Sequence, residues 1–467
     1  MVVTRTISAL LLSALAVTAV VIFTPGLGTQ GKITLGVFAV ATVLWVIAKV
    51  DDTLVALGAG LVLVVSGVLP ADDFFGALGE PTVWLLICAF VIAAGVSASG
   101  LAARATAWLV SRASTVRRLV HLTTAALVVS AFAVPATSGR AALAVPVFLA
   151  LAKVLEGRRR VVVALALVFP AVILLSAVAS LIGAGAHLIT VEMLFQATGE
   201  RIGFAHWLLL GLPLAVVSSH LCAEIVLLMI TRRADRREPV SVDAEAVGEA
   251  TGVPVSGPLD GPQRRSAVLL CVVVALWCAE PLHGVSPAVV AFVGAVLTAT
   301  PKAGTITMNK ALATVPWAML MFMAATMAMG VAMTSSGAAG WLAGGLFGVR
   351  VPAWQFLAAV VGVSTLAHLL LQSRSARSSV LVPLVITAAA GLGVSPAAAA
   401  FASTAAAGFC HTLPASAKPV ALFHRIEEAP TYGSRHLLAL SAVLAPLTAG
   451  LVLLFALMVW PYLGLPY

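Results

Sequence analysis

Charge is what this chain has least of. Only 10% of its 467 residues are Asp, Glu, Lys or Arg, and acids are the scarcer sign, 18 against 27 basic residues. A soluble domain carries about 25% charged residues, so the composition excludes a soluble globular protein. The weak polar–apolar alternation of barrel strands is also missing, which excludes a membrane β-barrel. Cysteines are few and scattered: Cys88, Cys222, Cys271, Cys278 and Cys410, with no CxxC among them. An odd, dispersed set provides neither a disulfide framework nor a zinc site. His121, His206, His220, His368 and His424 show no ligand spacing, and no metal site is expected. The formal charge of +9 does not point to nucleic acid, because the basic residues sit in short loops, where membrane topology puts them.

What the chain does have is hydrophobicity: 61% apolar residues in runs of about 20, the length of a helical span. Apolar segments fall at 7–25, 33–50, 53–69, 82–98, 161–196, 205–230, 266–283, 286–300, 315–335, 396–424 and 436–461. The first begins after Arg5 and resembles a signal peptide, but no clean cleavage site follows, so it reads as a first span. Two more apolar stretches, 120–155 and 355–390, are broken at their centres by arginine. Each reads as a re-entrant hairpin of two short helices. Such hairpins are tolerated at membrane depth only where protein or a water-filled cavity covers the backbone.

The two breaks are near copies. Thr137-Ser138-Gly139-Arg140 and Ser373-Arg374-Ser375-Ala376-Arg377 each lead into an apolar helix, and Arg140 and Arg377 each stand six residues before a proline, Pro146 and Pro383. An arginine at the centre of a span costs roughly 2.5–3.5 kcal/mol on insertion scales, so two matching ones argue for function. Paired interruptions in the two halves of a membrane chain point to a transporter's binding site. A tip of small hydroxyl residues at a helix start exposes N–H groups that bind anions, and a guanidinium adds a fixed fork for carboxylate, sulfate or phosphate. Two further breaks match: Ser180 to His187, through Gly183 and Gly185, and His411 to Pro419, through Thr412, Ser416 and Lys418. Glycine and proline there open the helix and free backbone groups for a ligand. His187 and Lys418 are titratable groups at those breaks, suited to proton coupling or to an anion contact. Glu192 and Glu224 are the acids within apolar segments that are best placed to pair with the arginines instead.

Arginine-rich loops at 104–118, 158–160 and 232–265 fall on one side if the hairpins re-enter, and that side is cytoplasmic. The expectation is an all-α polytopic protein of about eleven spans plus two hairpins. The N-terminus is then cytoplasmic and the C-terminus outside. The units are a first span (1–32), a first repeat (33–230), a flexible cytoplasmic linker (231–265) and a second repeat of inverted topology (266–467).

On these motifs the chain resembles the divalent-anion:sodium symporter (DASS) family of the ion-transporter superfamily. That family carries S-N-T-A-T-A-A at each hairpin tip, where this chain has Ala136-Thr137-Ser138-Gly139-Arg140-Ala141-Ala142 and Ser373-Arg374-Ser375-Ala376-Arg377-Ser378-Ser379. Its unwound loops T-L-I-G-T-P-P-N and L-P-V-G-T-P-P-N correspond to Ser180-Leu181-Ile182-Gly183-Ala184-Gly185-Ala186-His187 and Leu413-Pro414-Ala415-Ser416-Ala417-Lys418-Pro419-Val420. The resemblance implies a homodimer in the cell membrane that moves a small divalent anion, a dicarboxylate or an oxyanion such as sulfate, by an elevator-like motion. It implies substrate contacts from Thr137, Ser138, Gly139, Arg140, Ser373, Arg374, Ser375 and Arg377, completed by the two loops. The resemblance gives sodium-site roles to the two tip asparagines, which are here Thr137 and Arg374, and the family's loop asparagines are here His187 and Val420. A guanidinium about 4 Å from a sodium ion repels it by about 4 kcal/mol at an effective dielectric of 20. The arginines are therefore expected to replace sodium, with no cofactor and with sodium or, in its place, proton as coupling ion. Arg140 and Arg377 are expected to clamp the anion. The alternatives are an oxyanion efflux permease and an anion channel. An intramembrane enzyme would have only Ser138 with His187 as nucleophile and base.

Overall fold

The computed structural model describes residues 11–467 except 16, 21–23, 48–49, 254, 256, 303 and 347–350. The span expected at 7–25 thus lies partly outside the described residues. Within the rest, regular structure is helical apart from an isolated bridge between Thr115 and Pro239. Nine of the described helices are long and apolar enough to cross a membrane.

From residue 29 onward come α1 (Thr29–Ile47), α2 (Asp52–Val65), α3 (Pro81–Ala98) and α4 (Leu101–Val110). The first hairpin follows as α5 (Val116–Ala133) and α6 (Thr137–Val154). Pro135 sets its tip: it forces Val134 into extended backbone (φ −131°, ψ 106°), which ends α5. Next is the broken helix, α7 (Arg159–Leu175) and α8 (Gly185–Thr198), and then α9 (Phe204–Ile230). The second half begins with α10 (Gly261–Cys278), α11 (Pro287–Ala299), α12 (Trp317–Ser335) and α13 (Ala338–Leu346). Its hairpin is α14 (Ala353–Leu366) and α15 (Arg374–Leu392), its broken helix α16 (Pro396–Ala406) and α17 (Lys418–His424), and α18 (Ser434–Leu454) closes the fold.

The helices pack in matched pairs. Arm α6 lies on α7 and on α17, the far piece of the other half's broken helix, while α15 lies on α16 and on α8. Outer arm α5 packs on α7 and α9, and α14 packs on α16 and α18. α3 packs on α11, and α2 on α12. From Val161 to Ala179 every residue is buried in protein.

Two expectations need correction. The hairpin arms are not short. α5 and α6 have 18 residues each and α15 has 19, about 27 Å at 1.5 Å per residue, nearly the thickness of the hydrocarbon core. The segment 231–265 is not a free connector either. It holds the helices Arg233–Arg237 and Ala244–Thr251, and the latter packs on α4 and α6. Val240, Val242 and Val247 are buried, and Val240 N–H donates to Ser114 O at 3.2 Å. Three valines without helical or strand spacing were enough to dock a segment whose polarity reads as loop, because burial depends on neighbours outside the segment.

Candidate functional site

A cavity of about 460 Å³ lies where the two tips and the two breaks meet. The first tip contributes Thr137, Ser138 and Gly139, the second Ser373, Arg374, Ser375 and Arg377. The breaks contribute Gly185 from the first, and Ser416 and Lys418 from the second. These sequence-predicted residues are thus brought together from four elements far apart in the chain.

The two tips present different chemistry. At the first, Ala136 precedes α6 with no side chain to cap it, so the leading N–H groups of the helix have no capping acceptor. They carry the positive end of an 18-residue helix dipole and face the cavity at Thr137–Gly139. Ala136 also sits at φ 69°, ψ 133°, where only glycine is at ease, and such strain costs of order 1–3 kcal/mol. Ala136→Gly is expected to raise the apparent melting temperature by about 1–2 °C. Thermal unfolding of the purified variant measures it, and a drop in temperature would mean that the conformation is not strained.

The second tip has a cap, with Ser373 Oγ accepting from Ala376 N–H at 3.3 Å, and it has two arginines. Arg374 Nη1 donates to Leu174 O at 3.4 Å and Nη2 to His187 Nε2 at 3.3 Å, while its Nε has no partner. Arg377 is fully buried, and its one hydrogen bond among the described residues is a long one from Nη1 to Phe409 O, 3.4 Å. Its Nε and Nη2 have no partner. Neither arginine has a carboxylate partner among the described residues. Glu192 is bound by Thr82 at 2.9 Å and Gln196 at 3.4 Å, and Glu224 by Arg117 at 2.7 Å and by His121. Buried guanidinium donors without an acceptor are costly, which marks this wall as a place for a multivalent anion.

The remaining predicted residues lie outside the cavity. Arg140, which was expected to clamp the anion, is turned into the protein: Nε donates to Ser130 Oγ at 3.0 Å, Nη1 to Ile173 O at 3.0 Å, and Nη2 to Ser176 Oγ at 2.7 Å and to Leu127 O. Pro170 and the 3₁₀ turn at Ser176–Ala179 interrupt the helical bonding of α7, and Arg140 takes one of the carbonyls beside the break. Its side chain cannot meet Arg377 across the cavity while it fills that role. Gly183 does not line the cavity. A Cβ there would lie 2.1 Å from Ala177 O, so glycine permits the turn itself. His187 Nδ1–H donates to Ser180 O at 3.0 Å, which leaves Nε2 as the acceptor for Arg374. With both nitrogens engaged, His187 is no base for Ser138. Thr412 hydrogen-bonds His368 Nε2 at 2.7 Å, away from the cavity.

The cavity also has residues that sequence reading missed. Asp51, Asp52 and Thr53 at the start of α2 line it, as do Thr314, Met319, Phe90 and Cys410. Two adjacent acids beside an apolar run, in a chain so poor in acids, were the available signal. They read instead as the turn between two spans.

Comparison with known proteins fits this geometry. A profile of citrate transporters (CitMHS) matches residues 42–406. A membrane protein of Cupriavidus necator is 26% identical over 358 residues, 71% of this chain and 68% of that protein. Among solved structures, the YdaH transporter of Alcanivorax borkumensis superposes with a TM-score of 0.57 at 17% identity, covering 87% of this chain and 88% of that one. MtrF of Neisseria gonorrhoeae, described within a class of antimetabolite efflux pumps, gives 0.57 at 13% identity over 95% and 97%. These last two likenesses establish the fold as that of a polytopic helical membrane transporter. The matched profile spans most of the chain, both tips and the first break included, and the protein accordingly belongs to the citrate transporter family, within the same superfamily as the DASS proteins.

Proposed function

We propose that this protein is a secondary active transporter of small multivalent anions, a di- or tricarboxylate or an oxyanion such as sulfate, and that it works without sodium. The observation that carries this reading is the pairing of Arg374 and Arg377, with three guanidinium nitrogens unpartnered, with the uncapped start of α6 on the same cavity. One end of an anion meets a guanidinium fork, the other a helix N-terminus. The clamp is therefore Thr137–Gly139 with Arg374 and Arg377, not Arg140 with Arg377. The citrate of the family's name is an anion of this kind.

Sodium independence follows from where the guanidinium groups sit. Helix breaks free carbonyl oxygens, and free carbonyls hold cations in transporters. Here the carbonyls beside the breaks, Ile173, Leu174 and Phe409, are taken by Arg140, Arg374 and Arg377 in turn. A fixed positive charge at each position does the work of a coupling ion and repels a free one. Proton coupling or exchange then drives transport. The paired packing of α6 with α17 and of α15 with α8 supports two repeats of inverted topology, 33–230 and 266–467, moving as an elevator within a homodimer. In this reading the N-terminus is cytoplasmic and the C-terminus outside.

The test is a thermal-shift screen of purified protein against citrate, succinate, malate, sulfate and phosphate, with and without sodium. At least one anion is expected to raise the melting temperature by several degrees, equally in sodium and in choline. A shift seen only in sodium would remove the sodium-free reading. No shift with any anion would remove the substrate class. The alternatives, an oxyanion efflux permease and an anion channel, are separated by tolerance assays and by single-channel recording.

A further inference from the structure

A second cavity, of about 410 Å³, opens on the surface of the second half, and it shares no lining residue with the anion site. Its walls are α10 and α11, which pack side by side: Arg264, Arg265, Val268 and Val272 from the first, Leu297 and Thr298 from the second. The loop after α11 closes one end with Gly304 and Thr305. That loop is held in place. Thr305 N–H donates to Thr298 O at 3.0 Å, and Thr305 Oγ1 donates to Gly95 O of α3 at 3.1 Å. Gly304 lets it sit against α11, since a Cβ there would lie 2.2 Å from Thr298 O. This end of the cavity is therefore preformed.

The two ends of the groove differ in chemistry. Arg264 and Arg265, at the start of α10, are exposed and have no ion-pair partner among the described residues. None of the described residues lining the cavity is an acid. Asp260, the acid nearest to them in the chain, is engaged as the cap of α10, accepting from Gln263 N–H at 2.7 Å. Lys302, in the closing loop, adds a further exposed cation. Beyond the arginines the walls are apolar and open: Val268, Val272 and Leu297 are 58%, 48% and 50% exposed. The far end of α10 meets the start of α11, where Trp277 Nε1 donates to Pro287 O at 2.9 Å, so the two helices run antiparallel. The exposed apolar track continues down α10 to Leu276 and along α11 to Val293 and Val289. From Arg264 to Leu276 the track is about 18 Å long at 1.5 Å per residue, a little more than half of the roughly 30 Å hydrocarbon core.

We propose that this groove is a binding site for one anionic phospholipid. Its phosphate meets Arg264 and Arg265, and one acyl chain lies along Val268, Val272 and Leu297. A basic pocket between spans, on the side that carries the arginine-rich loops, is a setting in which anionic headgroups are held. The charge pattern selects the occupant. A zwitterionic lipid brings a cation of its own to two unpaired arginines. A second copy of this chain, seated here about a two-fold axis, brings its own arginines against them. Held in the groove, the lipid bridges the start of α10 and the end of α11.

The experiment is native mass spectrometry of the full-length protein in detergent, titrated with dioleoyl phosphatidylglycerol or dioleoyl phosphatidylcholine. One phosphatidylglycerol is expected to bind about tenfold more tightly than phosphatidylcholine, and inorganic phosphate in excess should not displace it. A basic residue near the membrane surface is worth about fivefold in affinity for an anionic lipid, so Arg264→Gln with Arg265→Gln should weaken phosphatidylglycerol about twentyfold. Both side chains are exposed, so this variant keeps the fold. Arg159→Gln with Arg160→Gln removes the same charge from exposed positions outside the cavity, at the start of α7, and should change binding by less than about twofold. Val272→Trp keeps both arginines, fills the apolar wall and should weaken the lipid about fivefold or more. Equal binding of the two lipids, unchanged affinity without Arg264 and Arg265, or an equal loss without Arg159 and Arg160 would overturn the proposal. Displacement by phosphate, with Val272→Trp binding as wild type, would reduce the groove to a surface ion site. A dimer that takes up no phosphatidylglycerol would mean that a second copy covers it.

Discussion

Arg377→Met is expected to abolish anion binding while leaving the fold intact and more stable. The wild-type side chain is fully buried, holds one long bond to Phe409 O at 3.4 Å, and leaves Nε and Nη2 without partners. Removing it therefore takes almost nothing from the folded state and relieves an unpaired buried charge, a relief often worth about 1–4 kcal/mol. In the proposed anion complex the same two nitrogens would each donate a charge-assisted hydrogen bond, typically about 1.5–3 kcal/mol. Losing both weakens affinity by about 10²- to 10⁴-fold. A melting temperature equal to or above wild type without anion, together with a lost thermal shift in citrate or sulfate, is the signature. A variant that melts lower yet binds as well as wild type would move the anion elsewhere. Stability given up at a binding site in exchange for a charged donor is a common trade.

Arg140→Ala has the opposite expected result. That guanidinium binds Ser130, Ile173, Ser176 and Leu127, tying the first hairpin to the buried break in α7. Its loss removes four donated bonds, though Leu127 O keeps Ser130 Oγ as a donor, and leaves a cavity the size of its side chain. Destabilisation of about 3–5 kcal/mol follows, the range for breaking a buried charged network. Arg140→Lys keeps the charge but has one nitrogen where the fork has three, and it should recover only part of this. Fluorescence-detected size-exclusion after a heating series reads the effect. Protein that survives as Arg140→Ala with normal stability but loses binding would return Arg140 to the anion site. The pair of variants separates two roles that the sequence makes look alike.

That likeness explains how far sequence reading could go. Both tips and both breaks are legible because their cause is local: Pro135 ends α5, Pro170 interrupts α7, and Gly183 fits where a Cβ would strike a carbonyl oxygen. The convergence of four elements on one cavity could be inferred from their matching positions. The difference between Arg140 and Arg377 could not. Both stand six residues before a proline in small, polar surroundings. What separates them is whether a partner arrives from elsewhere in the fold: Ile173 and Ser176 reach Arg140, and nothing comparable reaches Arg377. Asp52 was missed for the same reason, since Ser373, which lines the same cavity, lies more than three hundred residues away in the chain. The ordered stretch at 231–265 belongs to this class too, docked by Val240, Val242 and Val247 against helices whose surfaces its own composition does not reveal.

The interleaved packing of the two halves also sets a timetable for biogenesis. Arm α6 ends at Val154, but its partner α17 begins only at Lys418, about 260 residues later. At ribosomal speeds of about 5–20 residues per second, the first hairpin waits roughly 13–50 seconds for the segment that completes its surroundings. Neither half can reach its final form alone, and a chain halted before residue 418 should be held by insertion factors or degraded rather than accumulate as a stable half-transporter.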